Sequence, residues 1–180
     1  MNIYLIGLLH DMMKPDTYKI RDGRDTYYNH DILSLSLAKE LKKELVLSNK
    51  EYKFLQFVVK NHHLFKMCNL DNKKTIFNVA FEMRKNKYFF EKIKPILYGD
   101  FFNGEMSKEK DIEFETKYLT IQKAIKRIDD INNEYDWKQI TSNLSDKNNL
   151  SDKIRKILKK HFVNGYIREN EIKCFLRIYF

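Results

Sequence analysis

The apolar positions of the chain fall into separated blocks, most of them with helical spacing. Ile3, Leu5, Ile6, Leu8 and Leu9 form a dense run that leads directly into His10-Asp11. The run suits a buried helix starting almost at Met1. A strand stays open, because so short a run has no decisive period. Pro15 ends the block, and residues 16–29 are polar around the turn Asp22-Gly23-Arg24, a loop placed to lie over whatever His10-Asp11 builds. From His30 the pattern becomes amphipathic. Ile32, Leu33, Leu35, Leu37, Ala38, Leu41 and Leu45 recur at three and four residues, with Lys39, Lys42 and Lys43 on the side facing water. Ser48-Asn-Lys-Glu51 has the capping-box pattern, and the helix it starts carries Phe54, Leu55, Phe57, Val58 and Val59 and ends near His62-His63.

The second half continues in the same manner. A fourth helix spans 71–87 through Ile76, Phe77, Val79, Ala80 and Met83, with Asp71 as its N-cap. A shorter piece spans 88–98, where Pro95 predicts a break or kink, and Gly99 to Gly104 reads as a turn that carries Asp100. A long charged helix covers 107–134. Its early Glu109, Asp111 and Glu113 and late Lys123, Lys126 and Arg127 suit the helix dipole. A polar hinge follows over 136–149. Ser151 then caps a helix through Ile154, Ile157, Leu158 and Phe162 that stops at Asn164-Gly165, and a last short helix starts at Asn170. Asp22-Gly23 has no alternating strands on either side and Asn103-Gly104 lies between helices, so no hairpin is predicted. The fold class expected is all-α.

Composition narrows the picture. The 180 residues make one domain, or one domain and a small appendage, and 13 Phe and 11 Tyr supply a core. The formal charge of +9 points to a polyanionic partner such as RNA, DNA or nucleotides, though the lysines are spread along nearly every helix. The most basic segment is 151–180, where eight Lys or Arg face three acids. Either this is a solvated helix face, or it is an RNA-backbone contact that would use Lys153, Arg155, Lys156, Lys159 and Lys160. Cys68 and Cys174 have no zinc-knuckle or disulfide-framework spacing, so a reducing interior is expected. The N-terminus is a poor signal peptide and no apolar run approaches a membrane span, so the expectation is a cytoplasmic protein with no membrane partner.

The candidate chemistry sits where polar clusters interrupt apolar helices, at His10-Asp11, His30-Asp31 and His62-His63. Imidazole and carboxylate together suit divalent Mn, Fe, Co, Ni or Zn, and oxygen ligands admit Mg. Adjacent residues on a helix point about 100° apart, so His10 and Asp11 can meet one ion only near a helix end. The clusters fall at the end of the first helix, the start of the second and the end of the third, and in an antiparallel bundle such ends converge. No phosphate-cradling glycine loop, G-x-S-x-G or H-E-x-x-H motif is present.

Leu8-Leu-His-Asp-Met-Met-Lys-Pro15, Asn29-His-Asp31, Leu47-Ser-Asn-Lys-Glu51 and Phe57-Val-Val-Lys-Asn-His-His63 resemble motifs of the HD superfamily of metal-dependent phosphohydrolases. The closer likeness is to the HD and C-terminal helical portion of bacterial tRNA nucleotidyltransferases, the CCA-adding and poly(A)-polymerase-like enzymes. Residues 158–167 resemble a pattern in their terminal helices. The resemblance implies an HD-like helical core over 1–105 and a C-terminal helical extension over 106–180. It also implies that His10 and Asp11 hold a divalent ion. We add Asp100 or His62 as a third ligand from the polar placement. His30 and His63 would then position a phosphate or protonate a leaving oxygen, Lys14 would face the phosphate, and Asp31 would orient His30. A nucleotide or RNA phosphate is the substrate class expected.

The chain departs from the pattern in three places. It has no histidine upstream of His10, Met13 stands where the family has glycine after His-Asp, and the nucleotidyltransferase head has no counterpart. The chain would then be a stand-alone descendant or the downstream piece of a split gene. The alternative is a non-catalytic RNA- or tRNA-binding helical module that works with a separate nucleotidyltransferase subunit.

Overall fold

The computed structural model describes residues 2–102, 107–141, 149–165 and 167, without the side chain of Gln139. The described chain is mostly helical. The elements are α1 (Ile3–Leu9), α2 (Lys14–Thr17), β1 (Lys19–Arg21), β2 (Arg24–Thr26), α3 (His30–Leu41), α4 (Asn49–Lys66), α5 (Lys73–Met83), a 3-10 turn (Arg84–Asn86), α6 (Lys87–Phe102), α7 (Lys108–Asn133), α8 (Trp137–Thr141) and α9 (Leu150–Asn164). Contacts group them into two compact units. One is Met1–Met67 with Asn86–Phe114, and the other is Cys68–Lys85 with Glu115–Phe180. The chain therefore enters each unit twice.

The first unit is built around α4. Ser48 accepts a hydrogen bond from the Glu51 N–H while the Glu51 carboxylate accepts from the Ser48 N–H, so the capping box is formed as the sequence predicts. Glu51 also accepts the N–H of Asn2 at 3.1 Å, and the Asn2 side chain caps α1 by accepting the Leu5 N–H. One carboxylate thus ties the starts of two helices. Phe54, Leu55, Val58, Val59 and Phe65 on α4 are buried with Ile6 and Leu9 of α1 and Phe89, Phe90, Ile93 and Leu97 of α6. These contiguous apolar faces remove large side chains from water, each burial contributing about 1.5–3 kcal/mol. They hold the ends of α1 and α4 in place beside the start of α3.

The second unit packs α5 against α9, with Phe77 meeting Phe162 at 5.5 Å between ring centroids. Ile76, Val79, Met83, Ile121, Ile128, Ile131, Ile157 and Leu158 are buried there. Tyr135 makes a 2.7 Å hydrogen bond with His161 Nδ1, so a buried imidazole is satisfied inside this unit.

Several expectations are corrected. A two-stranded antiparallel hairpin pairs Lys19 with Thr26 and Arg21 with Arg24. Asp22 (φ 50°) and Gly23 (φ 70°) both take the left-handed conformation that such a two-residue turn requires. No alternation foretold it, because β1 is exposed throughout and buries no face. Nor does Pro95 break its helix. α6 runs through it to Phe102, so Gly99 and Asp100 are helical rather than in a turn. Pro95 is exposed, and the buried Ile93, Ile96 and Leu97 on either side hold the helix together despite the lost N–H. Helix α5 stops at Met83, and Asn86 accepts the Phe89 N–H to begin α6. The N-cap of α5 is Asn72 rather than Asp71, and that of α9 is Asn149 rather than Ser151. Residues 137–141 of the expected hinge are helical. The remainder of that hinge at 142–148, the turn residues 103–104 and the helix expected from Asn170 lie outside the described residues.

Helix α3 differs in a more telling way. Its buried residues are His30, Ser34 and Ala38, spaced four apart, while Ile32 is 63% and Leu33 41% exposed. The helix turns its small and polar stripe inward, because that stripe carries His30. Among the described residues no helix is long and apolar enough to cross a membrane.

Candidate metal centre

Each of the three sequence clusters is delivered by a helix end within the first unit. His10 is the C-cap of α1, its N–H bonded to the Ile6 carbonyl, so His10 and Asp11 sit where the helix lets go and both can turn toward one point. Asn29, left-handed at φ 65°, swings the chain from the hairpin into α3 and sets His30 as its first residue. His62 and His63 lie in the last two turns of α4. The Met13 N–H donates to Ser34 Oγ at 3.3 Å, which fastens the loop after Asp11 onto α3.

The clusters converge on Asp11. Its Oδ1 lies 3.2 Å from His30 Nε2 and 3.5 Å from His62 Nε2, and its Oδ2 lies 3.2 Å from His10 Nε2. His63 Nε2 is 3.2 Å from His30 Nε2. The side chains of His10, His30 and His62 are nearly or wholly buried, whereas His63 is exposed. Two overlapping groups, His10 with Asp11 and His62, and His30 with His62 and His63, each bring three ligand atoms within 4.8 Å of one another and are capable of coordinating a metal ion.

The protons of these rings follow from their other nitrogens. His10 Nδ1 lies 2.6 Å from the Gly7 carbonyl, His30 Nδ1 2.6 Å from the Tyr27 carbonyl, and His62 Nδ1 2.9 Å from the Val59 carbonyl. A carbonyl oxygen only accepts, so each Nδ1 holds the proton in the neutral ring and each Nε2 presents a bare lone pair. Three lone pairs and a carboxylate therefore face one another. His10 Nε2, His62 Nε2 and Asp11 Oδ1 are buried with no hydrogen-bond partner. Buried polar atoms left this way cost about 1–3 kcal/mol each, which a cation would relieve. Two ligands held ~2.1 Å from an ion at 90–109° stand ~3.0–3.4 Å apart, and the separations of Asp11 from His10, His30 and His62, 3.2, 3.2 and 3.5 Å, lie close to that spacing. Imidazoles that donate their far N–H to a backbone carbonyl are the usual form of metal-ligating histidine. The residues present fit a divalent ion.

Electrostatics point the same way. Burial, the largest influence on Asp11, works to raise its carboxyl, but the hydrogen bond and charge of Lys14, joined by those of His10 whenever that ring carries a proton on Nε2, outweigh it and hold the group well below the usual carboxylate range. Burial, followed by His10 and His63, pushes the His62 imidazole down to about 4, so this ring is neutral and ligand-competent near pH 7. Burial and the adjacent His30 also lower His63. Lys14 hydrogen-bonds Asp11 Oδ2 and lies 3.8 Å from Asp100 Oδ1.

Comparison with protein-family models, with curated proteins and with solved structures returned no match.

The remaining sequence candidates take other places. Asp100, on α6, stands outside both ligand groups and meets the cluster through Lys14. Asp31 lines the cleft beside His30 rather than reaching the His30 ring, whose Nδ1 is taken by the Tyr27 carbonyl. His30, assigned from sequence to phosphate handling, has its Nε2 among the ligand atoms. In the second unit Lys153 is buried, and Arg155 lies 5.0 Å over the Phe81 ring and 3.7 Å from Glu82. Lys156, Lys159 and Lys160 line a groove of about 210 Å³ together with Lys74 of α5. Sequence reasoning passed over Ser34, and a small polar residue in register with His30 on α3 was the available clue. It also passed over Tyr27, whose part is played by a backbone carbonyl and leaves no side-chain clue at all.

Proposed function

We propose that this protein is a metal-dependent phosphohydrolase, a phosphatase or phosphodiesterase of the HD type, acting on a nucleotide or RNA phosphate. The observation that carries the reading is the convergence of the Nε2 atoms of His10, His30 and His62 on the Asp11 carboxylate, with His30 reaching an open cleft. His10, Asp11 and His62 would hold the ion, with His30 beside them at 3.2 Å from Asp11 Oδ1. When bound, a divalent ion supplies positive charge for a phosphoryl oxygen and makes water a stronger nucleophile.

The chain's own residues do the rest. His30, His63 and Lys14 also line a cleft of about 1200 Å³, so the cluster opens to substrate through them. His63, exposed and held toward its neutral form, accepts or returns a proton at the cleft wall. The Lys14 ammonium, anchored between Asp11 and Asp100, is a fixed positive charge for a phosphate oxygen. The test is phosphate release from nucleoside monophosphates, 2′,3′-cyclic phosphates and RNA 3′-phosphates by protein loaded with Mn, Ni or Zn. Turnover that is lost in both Asp11→Asn and His62→Ala supports the reading. Turnover that survives both removes it.

A second reading has an observation of its own. The groove between α5 and α9 has four lysines and no carboxylate among its lining residues, and Lys159 is braced by Asn78 at 3.1 Å. This supports an RNA- or tRNA-binding role for the second unit, with a separate nucleotidyltransferase subunit as its companion chain.

A further inference from the structure

The β-hairpin is an expensive element for the core it buries, which is none. Its strands are three residues long and exposed apart from the half-buried Thr26, yet it is fully paired, and Thr26 Oγ1 adds a 2.8 Å bond to the Lys19 carbonyl across it. A two-stranded hairpin alone is marginal in water, so this one must be held by its flanks. Those flanks are aromatic. Tyr18 precedes β1, Tyr27 and Tyr28 follow β2, and all three line the same cleft as His30, His63 and Lys14. Tyr18 packs on Tyr27 at 5.7 Å between ring centroids, and its hydroxyl donates to Asp25 at 3.0 Å, which fixes the ring. The Arg21 guanidinium lies 4.9 Å over the Tyr28 ring. Even so, Tyr18 is 46% and Tyr28 62% exposed. Fixed, exposed aromatic rings in the wall of a cleft are stacking surfaces.

Tyr27 joins this wall to the cluster. Tyr27 lines the cleft while its carbonyl holds His30 Nδ1 at 2.6 Å. The cleft, at about 1200 Å³, is above the ~300–1000 Å³ common for small-molecule sites, so a bare phosphate would leave most of it empty. The same cleft has Lys14, His30 and His63 for a phosphate and three tyrosines for a flat ring.

We infer that the hairpin tyrosines Tyr18, Tyr27 and Tyr28 form a base-stacking wall that selects nucleoside monophosphates over phosphate esters lacking an aromatic ring. The inference rests on the phosphohydrolase reading for its phosphate end only. Stacking on this wall is a binding property, measurable without turnover.

The experiment compares kcat/KM for a nucleoside 5′-monophosphate and for ribose 5-phosphate in the metal-loaded wild type, Tyr28→Ala, Tyr28→Phe and Tyr18→Ala. The wild type is expected to favour the nucleotide, and that ratio is expected to fall about tenfold in Tyr28→Ala and Tyr18→Ala. Tyr28→Phe, which keeps the ring, is expected to retain it. Equal loss of both substrates, or no preference in the wild type, overturns the inference. If no phosphate is released from either compound, equilibrium dialysis with the same nucleotide gives the answer. Binding that Tyr28→Ala weakens and Tyr28→Phe preserves supports the wall and counts against the hydrolase instead. A wild type that binds no nucleotide overturns the wall. Metal content, measured in parallel, separates these outcomes from a damaged cluster.

Discussion

Asp11 Oδ1 and His30 Nε2 face each other at 3.2 Å, and in the neutral ring no proton lies between them, because the Tyr27 carbonyl holds the one on Nδ1. An acceptor opposed to an acceptor, largely withdrawn from water, is unfavourable unless a cation enters. The metal dependence expected of this protein stems from that opposition.

Added metal should stabilise the fold. Because the ligands come from the ends of α1 and α4, an ion binds the folded unit and not the unfolded chain, and at a free concentration 1,000 times its Kd it contributes about 4 kcal/mol. Thermal melts with and without chelator should separate by several degrees, and His10→Ala should remove the separation. A melt indifferent to metal would mean that no ion engages these helices.

Acid should weaken the metal-free protein well above the carboxylate range. The His62 pKa is lowered from 6.5 to about 4 by burial, so its contribution is complete above 6.5 and is lost as pH falls from 6.5 toward 4, where the unfolded chain binds more protons. His63 and, in the second unit, His161 act in the same direction. Asp11, lowered rather than raised, keeps its contribution through that window and loses it only at more acid pH. Urea midpoints in chelator should therefore drop between pH 7.5 and 5, and less so in His62→Gln. Equal slopes in the two proteins would contradict the account.

Ser48→Ala should cost ~1 kcal/mol, the usual value of a lost N-cap. Ser48 and its partner Glu51 start the helix that carries His62 and His63, and hydrogen bonds from Ser48 draw the Glu51 carboxyl down to about 2. The loss should show in the urea midpoint and leave metal stoichiometry unchanged, since the cluster lies at the far end of α4.

The capping box shows what the sequence makes legible. A local hydrogen-bond pattern at fixed spacing leaves a local signature, and so do the apolar stripes of α4 and α5. His10-Asp11 and His62-His63 were visible because each is a polar pair set against an apolar run. What could not be seen depends on distant partners or on the backbone. The tautomer of His30 is set by a carbonyl. The inward face of α3 is chosen by the cluster, against its own leucines. The hairpin buries nothing and so has no alternation to reveal it. The sequence assigns His30 to the phosphate, and spacing along the chain does not show which of its nitrogens points where.

Charge reversal of Lys156, Lys159 and Lys160 tests the groove of the second unit. If it holds RNA, filter binding of a tRNA-like hairpin should weaken steeply with salt, and the triple variant should lower the salt slope by about 2–3. Lys153→Glu is not a fair part of that test, because Lys153 is buried. No RNA affinity at low salt would leave the groove a solvated face.

The most direct measurement is the metal content of the purified protein before chelation and after reloading with Mn, Ni or Zn, alongside Asp11→Asn. The Asn side chain keeps the shape of Asp11, removes the charge on which the imidazoles converge, and can donate to an orphaned Nε2 in the empty site. The account predicts at least one tightly held divalent ion per wild-type chain, none in Asp11→Asn, and a variant that in chelator is no less stable than the wild type. A wild type that takes up no ion from any of the three metals, or an Asp11→Asn protein that loads equally well, would contradict it.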